Sequence, residues 1–250
     1  MRKQFFVALC LGLLFAGNAA ARDINFITGL AQGEFKDLSK EAGAAIAYRN
    51  TAPAAPLGIT GFDAGVEVSA VDIKTGNQNY WEKAFGDKAP SFLYIPKIRV
   101  RKGLPFGIDV GAMYSYVPDS NIKIYGAEVS KAILEGSAAT PALGVRATYT
   151  RLAGVNDLSL QTVGVDASIS KGFLIFTPYA GVGGIWIDSE AKGALKAGTL
   201  PGGIPLAEEK IWQPRGFAGI KITPLPLIGI TAEAEYSARP IYSLKAAVNF

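Results

Sequence analysis

Histidine is absent from all 250 residues, and the single cysteine, Cys10, lies close to the N-terminus. The first absence removes the hydrolytic and acyl-transfer sets that depend on a histidine general base. Together the two absences remove the usual ligands for zinc and leave no disulfide to stabilise the fold. Scattered loop carboxylates could hold calcium only weakly. The expectation is a protein that is not an enzyme, with no catalytic residue, no metal and no cofactor. Long apolar runs are missing too. Beyond residue 21 none reaches the roughly 18 residues that a membrane helix needs. The nearest, 172–187, is uncharged but broken by glycines and Pro178, and it reads as a strand.

What the first 21 residues do contain is a secretory leader. Arg2 and Lys3 give a basic start, an apolar run extends from Phe5 to Gly17, and Ala19-Ala20-Ala21 supplies small residues before Arg22-Asp23. Cleavage is expected after Ala21. Leu9 before Cys10 is too large for a lipidation site. Removing the leader takes away Arg2 and Lys3 and leaves 23 basic against 21 acidic residues. A balance that even gives no reason to expect a nucleic-acid partner.

From residue 58 onward the dominant signal is a period of two, which marks strands with two unlike faces. Ten segments are expected: 58–72, 92–102, 106–117, 121–135, 141–152, 158–171, 174–188, 210–223, 227–238 and 241–250. Several connections are very short while 73–91 and 189–209 are long, as in a membrane barrel with tight turns at one end and longer loops at the other. In 92–102 one face carries Phe92, Tyr94, Ile98 and Val100, and the other Lys97, Arg99 and Arg101. A soluble sandwich tolerates that pattern as well, so the aromatics have to discriminate. With strand directions alternating back from the C-terminus, Tyr116, Tyr149, Trp186, Trp212, Tyr236 and Tyr242 fall near one level and Phe106 and Phe173 near the opposite one. Convergence from up-strands and down-strands alike is what a lipid-interface girdle requires.

The final strand sharpens this. Tyr242, Leu244, Ala246, Val248 and Phe250 alternate with small or polar residues and place an aromatic at the last position. The segment resembles the assembly signal of Gram-negative outer-membrane β-barrels. That resemblance implies an outer-membrane location, lipid as surroundings and the barrel-assembly machinery as partner.

Residues 22–57 follow another rule. Phe26, Ile27, Leu30, Phe35 and Leu38 recur at helical spacing, and a Gly/Ala-rich stretch with Ala47-Tyr48 leads to Pro53-Ala54-Ala55-Pro56. One reading gives two further strands; the other gives a plug folded into the lumen. The stretch resembles the N-terminal hatch of the long-chain fatty-acid transporter family, without that family's asparagine directly before the proline. The fold expected is thus all-β: a transmembrane antiparallel up-and-down barrel of 10–12 strands over 58–250, with a helical or plug-like segment at 22–57 and a cleaved leader at 1–21.

The inward face is the candidate site. Seven basic residues (Lys97, Arg99, Arg101, Arg146, Arg215, Lys221, Lys245) meet seven acidic ones (Asp63, Glu67, Asp109, Glu128, Asp166, Glu233, Glu235). So small a barrel encloses little space, and ion pairs spanning its interior are expected. The ladder Lys97-Arg99-Arg101 is assigned to the acidic strands 58–72 and 227–238. Glu233 and Glu235 share a face and could form a carboxylate pair, but neutralisation by facing Lys or Arg is the expected arrangement. Gly181-Val182-Gly183-Gly184 lacks the lysine and helix of a phosphate loop. Two functions follow: passive passage of small molecules, hydrophobic ones included, across the outer membrane, or a non-conducting structural or surface-binding barrel with an ion-paired lumen. The sequence names no cargo.

Overall fold

The computed structural model describes residues 24, 26–73, 80–85, 89–117 and 120–250. The leader, its cleavage point and Cys10 lie outside the described residues. Ten antiparallel strands form one closed barrel: β1 (Phe62–Asp72), β2 (Phe92–Leu104), β3 (Ile108–Tyr116), β4 (Lys123–Leu134), β5 (Ala142–Ala153), β6 (Leu158–Ser170), β7 (Phe176–Ala191), β8 (Glu209–Leu225), β9 (Ile228–Tyr236) and β10 (Pro240–Asn249). Each strand pairs with its sequence neighbours, and β1 pairs with β10 from Asp63↔Asn249 to Val71↔Ile241. Closure leaves no edge strand exposed. The even strand number is what allows first and last strands to meet antiparallel.

Phe250 sits on that seam. Its N–H donates to Phe62 O at 3.0 Å, its carbonyl accepts from Phe62 N–H at 2.6 Å, and the two rings lie 5.5 Å apart. The terminal aromatic therefore meets the first residue of the first strand.

The strand ends differ at one place from the sequence expectation by four residues. β1 begins at Phe62 rather than 58, because Gly58 takes a positive φ of 78° and residues 58–61 turn. The expectation of two extra strands before residue 58 is overturned. Residues 32–46 form helix α1 (Gln32–Ile46), whose apolar positions Phe35, Leu38, Ala42 and Ile46 are buried. Spacing of three and four cannot present one face of a strand, whose period is two. Two short helices, α2 (Tyr80–Phe85) and α3 (Gly193–Ala197), lie in the two longest connections.

The described residues of those connections lie at one end of the barrel, together with Val117, 120–122, 154–157 and 237–239. The opposite end carries the tight turns 105–107, 135–141, 171–175 and 226–227. Phe106, Leu174 and Leu227 each adopt a positive φ in those turns, at 65°, 52° and 71°, and Gly107 follows Phe106 at 66°.

Outward positions are apolar and exposed on nearly every strand, among them Tyr94, Ile98, Val110, Val145, Val163, Val182, Trp212 and Leu244. No helix among the described residues is long and apolar enough to cross a membrane, which says nothing of strands.

The interior is layered. Toward the loop end, inward side chains are apolar: Val71, Ile95, Met113, Ile124, Leu160, Ile185, Ile187 and Ile241 pack with Phe35, Leu38 and Ile46 of α1 and with Tyr80 and Trp81 of α2. Below that layer, inward positions turn charged.

Candidate functional site

Alternation places Lys97, Arg99 and Arg101 of β2 inside, and register sets them beside the acids of β1, with Glu67↔Lys97 and Asp63↔Arg101 as Cα partners. Lys97 Nζ lies 2.9 Å from Glu67 Oε1, and Arg99 Nη1 lies 2.7 Å from Glu67 Oε2. Arg101 turns the other way. It pairs with Asp109 of β3 at 3.0 Å and Glu128 of β4 at 2.8 Å. Gly111, between them on β3, is what permits that reach, since a Cβ there would collide with both Arg101 and Glu128. Around the wall, Arg146 pairs with Asp166 at 2.6 Å and Glu128 at 3.4 Å, Arg215 donates to both Asp166 oxygens, and Lys245 lies 3.2 Å from Asp63. Thirteen of the fourteen expected inward charges are buried, and Lys221 is half-buried.

Two expectations about partners are corrected. The β2 ladder is neutralised by β1, β3 and β4 and not by β9, because the register brings those three strands within reach of the guanidinium groups while β9 lies beyond β10. Glu233 and Glu235 are not treated alike either. Glu235 has Arg49 at 2.5 Å and Arg215 at 3.9 Å. Glu233 accepts instead from neutral donors, Thr51 N–H at 2.9 Å and Tyr179 O–H at 2.8 Å.

Arg49, Thr51 and Tyr48 belong to the segment before β1, and sequence reasoning gave none of them a place in the site. The chain leaves α1 near the loop end and descends through the lumen to Asp109 near the tight turns, where Leu57 N–H donates to Asp109 Oδ1 at 3.1 Å. On the way its own backbone joins the ionic network. Arg215 Nη1 donates to Tyr48 O at 2.9 Å and Arg146 Nη1 to Arg49 O at 2.6 Å. Thr51 Oγ1 donates to Glu67 at 2.7 Å and accepts from Arg99. The Tyr48 ring lies under Arg99, 4.6 Å from its guanidinium carbon, and 5.9 Å from that of Arg146, a cation–π placement in a buried site. Arg49 and Tyr48 are fully buried. Only the isolated positive charge of Arg49 in a Gly/Ala-rich run hinted at this.

At the loop end the same segment is fastened by a second polar cluster. Glu41 of α1 accepts from Tyr80 O–H at 2.7 Å, Trp81 Nε1–H at 2.6 Å and Arg239 Nε–H at 2.6 Å. Burial, and then the hydrogen bond to Glu41, pushes the Tyr80 phenol above its ordinary range. It therefore stays protonated and keeps donating. Ser39 of α1 donates to Ser189 of β7 at 2.8 Å, and Lys83 of α2 reaches Glu34 at 2.7 Å.

The expected girdle residues Tyr116, Tyr149, Trp186, Trp212, Tyr236 and Tyr242 all point outward and are exposed, and Trp186 and Trp212 are cross-strand partners. Phe106 and Phe173 are exposed at the tight-turn end. On β10, Tyr242 and Leu244 are exposed and Val248 half-buried, all on the outward face, and Phe250 is exposed beyond them.

No protein-family model matches the chain, and no curated protein matches it. Solved structures similar to it include the outer membrane protein OprG from Pseudomonas aeruginosa, at 10% identity and a TM-score of 0.40 over 80% of this chain and 99% of that one. KdgM porin is similar at 9% identity and a TM-score of 0.36 over 76% and 99%. Neisserial surface protein A follows at 10%, 0.33, 76% and 94%. Likeness this low carries no argument about the present chain, and the ten-strand closure stands on its own hydrogen-bond register. The resemblance to the fatty-acid transporter family is not shown by these comparisons and rests on the Gly/Ala-rich stretch with Ala47-Tyr48 and on Pro53-Ala54-Ala55-Pro56 ahead of the first strand.

Proposed function

We propose that this protein is an outer-membrane β-barrel of a Gram-negative bacterium whose resting state is closed, its lumen filled by residues 32–57 acting as a plug. It serves as a non-conducting structural or surface-binding barrel and has no enzymatic activity. The observation that carries this reading is the part the plug backbone plays in the ionic network. Arg146 and Arg215 bind carbonyls at 49 and 48, Glu233 takes the Thr51 amide, and Arg49 neutralises Glu235. A water-filled channel would solvate those charges and would gain little from spending backbone groups on them. Above them α1 and the apolar side chains packed on it fill the loop end of the lumen. The leader, the alternating final strand and the apolar outward faces support placement in a membrane, reached through the periplasm and the barrel-assembly machinery.

Passive passage of small molecules is the second reading, and it requires the plug to move. Planar-bilayer recording of the full chain tests the first. The expected result is a quiet baseline at low voltage. Stable open-channel steps from most inserted molecules would overturn the closed reading.

A further inference from the structure

One inward charge stands outside the network. Lys221 of β8 makes no ion pair among the described residues, whereas every other inward cation faces a carboxylate directly. It projects into a cavity of about 230 Å³ at the tight-turn end of the lumen, roofed by residues 52–57 of the N-terminal segment. Lys245, Arg101, Asp63, Thr177 and Thr223 complete the wall. Register explains the grouping. Thr177 is the Cα partner of Lys221, and Thr231 joins Lys221 to Lys245 across β9.

The charge of this wall is lopsided. Three cations face one carboxylate, and that carboxylate is already engaged by Lys245 at 3.2 Å and by Asn249 Nδ2–H at 2.6 Å. Arg101 is spent on Asp109 and Glu128. Among the described residues Lys221 is thus the inward ammonium that makes no ion pair, half-buried in a wall that also carries Thr177 and Thr223. A partly desolvated cation that shares the one wall carboxylate, Asp63, with two other cations is costly, and the cavity is open to a further counter-charge.

We propose that this cavity is a binding site for a small oxyanion, phosphate or a phosphate-like group, entering from the tight-turn end. An oxyanion can accept from the ammonium and from hydroxyls on the two strands through separate oxygens, with charge-assisted strength at the lysine. At roughly 30 Å³ per water the cavity has the volume of about eight waters. That is room for one oxyanion with a small organic substituent, and too little for a lipid or a glycan chain. The site does not depend on whether the barrel conducts, because it lies beneath the plug and not across it.

The test uses the full chain in detergent micelles, with inorganic phosphate titrated against sodium chloride at constant ionic strength and ³¹P line broadening and calorimetry as readouts. Wild type is expected to bind phosphate saturably. Lys221→Met should weaken that binding about tenfold or more, as loss of a charge-assisted contact does, while Lys221→Arg keeps it. Lys36→Met, on the surface of α1, should change nothing. Heat-modifiable migration checks that each variant is folded, and Thr223→Val provides a second, uncharged disruption should Lys221→Met fail to fold. Absence of saturable binding, or binding that survives both Lys221→Met and Thr223→Val, overturns the site and leaves Lys221 a solvated lysine at the mouth.

Discussion

Arg49 shows how much one residue can decide in this interior. It is fully buried, it neutralises Glu235 at 2.5 Å, and it also donates to the carbonyls of Ala44 and Ala45 at the end of α1. Replacing it with methionine keeps the volume and removes the charge, which leaves Glu235 with Arg215 at 3.9 Å. Breaking a buried pair from one side costs about 3–5 kcal/mol. Arg49→Met is therefore expected to lower the unfolding midpoint in denaturant sharply. Adding Glu235→Gln should recover part of the loss, and a double-mutant cycle measures how much; strictly additive losses would show that the two side chains do not interact. Tyr179 gives a second case. Its ring lies over Gly219, where a Cβ would strike it, and its hydroxyl serves Glu233. Gly219→Ala and Tyr179→Phe should each cost about 1–3 kcal/mol by leaving Glu233 short of a donor, and combining them should add little. Full additivity would separate the glycine from the hydroxyl. The fourteen inward charges were legible from strand alternation alone, because each sits on a strand whose opposite face is apolar. Arg49 was not, because a coil residue has no face to be read.

At the level of elements, the period of two located all ten strands to within four residues at each end. It did so because the outward face is apolar over the middle of each strand, with polar residues such as Lys123, Arg151, Gln161 and Lys210 confined to strand ends. The contrast between faces weakens near the loop end. There Ile185 and Ile187 of β7 point inward onto α1 while Trp186 between them points out, so both faces are apolar and alternation fades. The final strand offers a sharper separation of roles. Phe250 is exposed and touches one ring, Phe62. Its contribution to folded stability is then about 0.5–1.5 kcal/mol, the worth of an aromatic pair, whereas its backbone bonds to Phe62 survive a side-chain change. Phe250→Ala is expected to leave the unfolding midpoint of refolded protein almost unchanged and to reduce the heat-modifiable form recovered from outer membranes several-fold. A parallel fall in both quantities would make the residue structural and remove its reading as an assembly signal.

For the molecule as a whole, the decisive feature is the path of the N-terminal segment. Gly29 packs against Gly203 in the loop between β7 and β8, α1 lies inside the loop end, and Gly58 packs against Gly103 at the tight-turn end. The chain before β1 therefore traverses the barrel from the loop end to the tight-turn end before the first strand begins. Sequence reasoning could offer a plug or extra strands for this region, and no local pattern could give the direction of passage, which only the contacts of both ends reveal. Two consequences follow if the loop end faces outward. A tag joined ahead of Ile24 should be reached by antibody on intact cells; labelling that appears only after the outer membrane is permeabilised would reverse the assigned orientation. The second consequence concerns movement. Ser39 Oγ of α1 lies 2.8 Å from Ser189 Oγ of β7, and beyond residue 21 the chain has no cysteine, so Ser39→Cys/Ser189→Cys can lock α1 to the wall with a single disulfide. A barrel that is closed at rest and does not open predicts the same quiet bilayer recording from the oxidised and the reduced protein, and a raised unfolding midpoint when oxidised, since a crosslink over so long a loop removes about 4–5 kcal/mol of chain entropy from the unfolded state. A barrel that passes small molecules by displacing its plug predicts steps that vanish on oxidation and return on reduction. Conductance indifferent to the lock would place the path outside the lumen segment altogether, and would remove residues 32–57 as the element that decides whether this barrel is open.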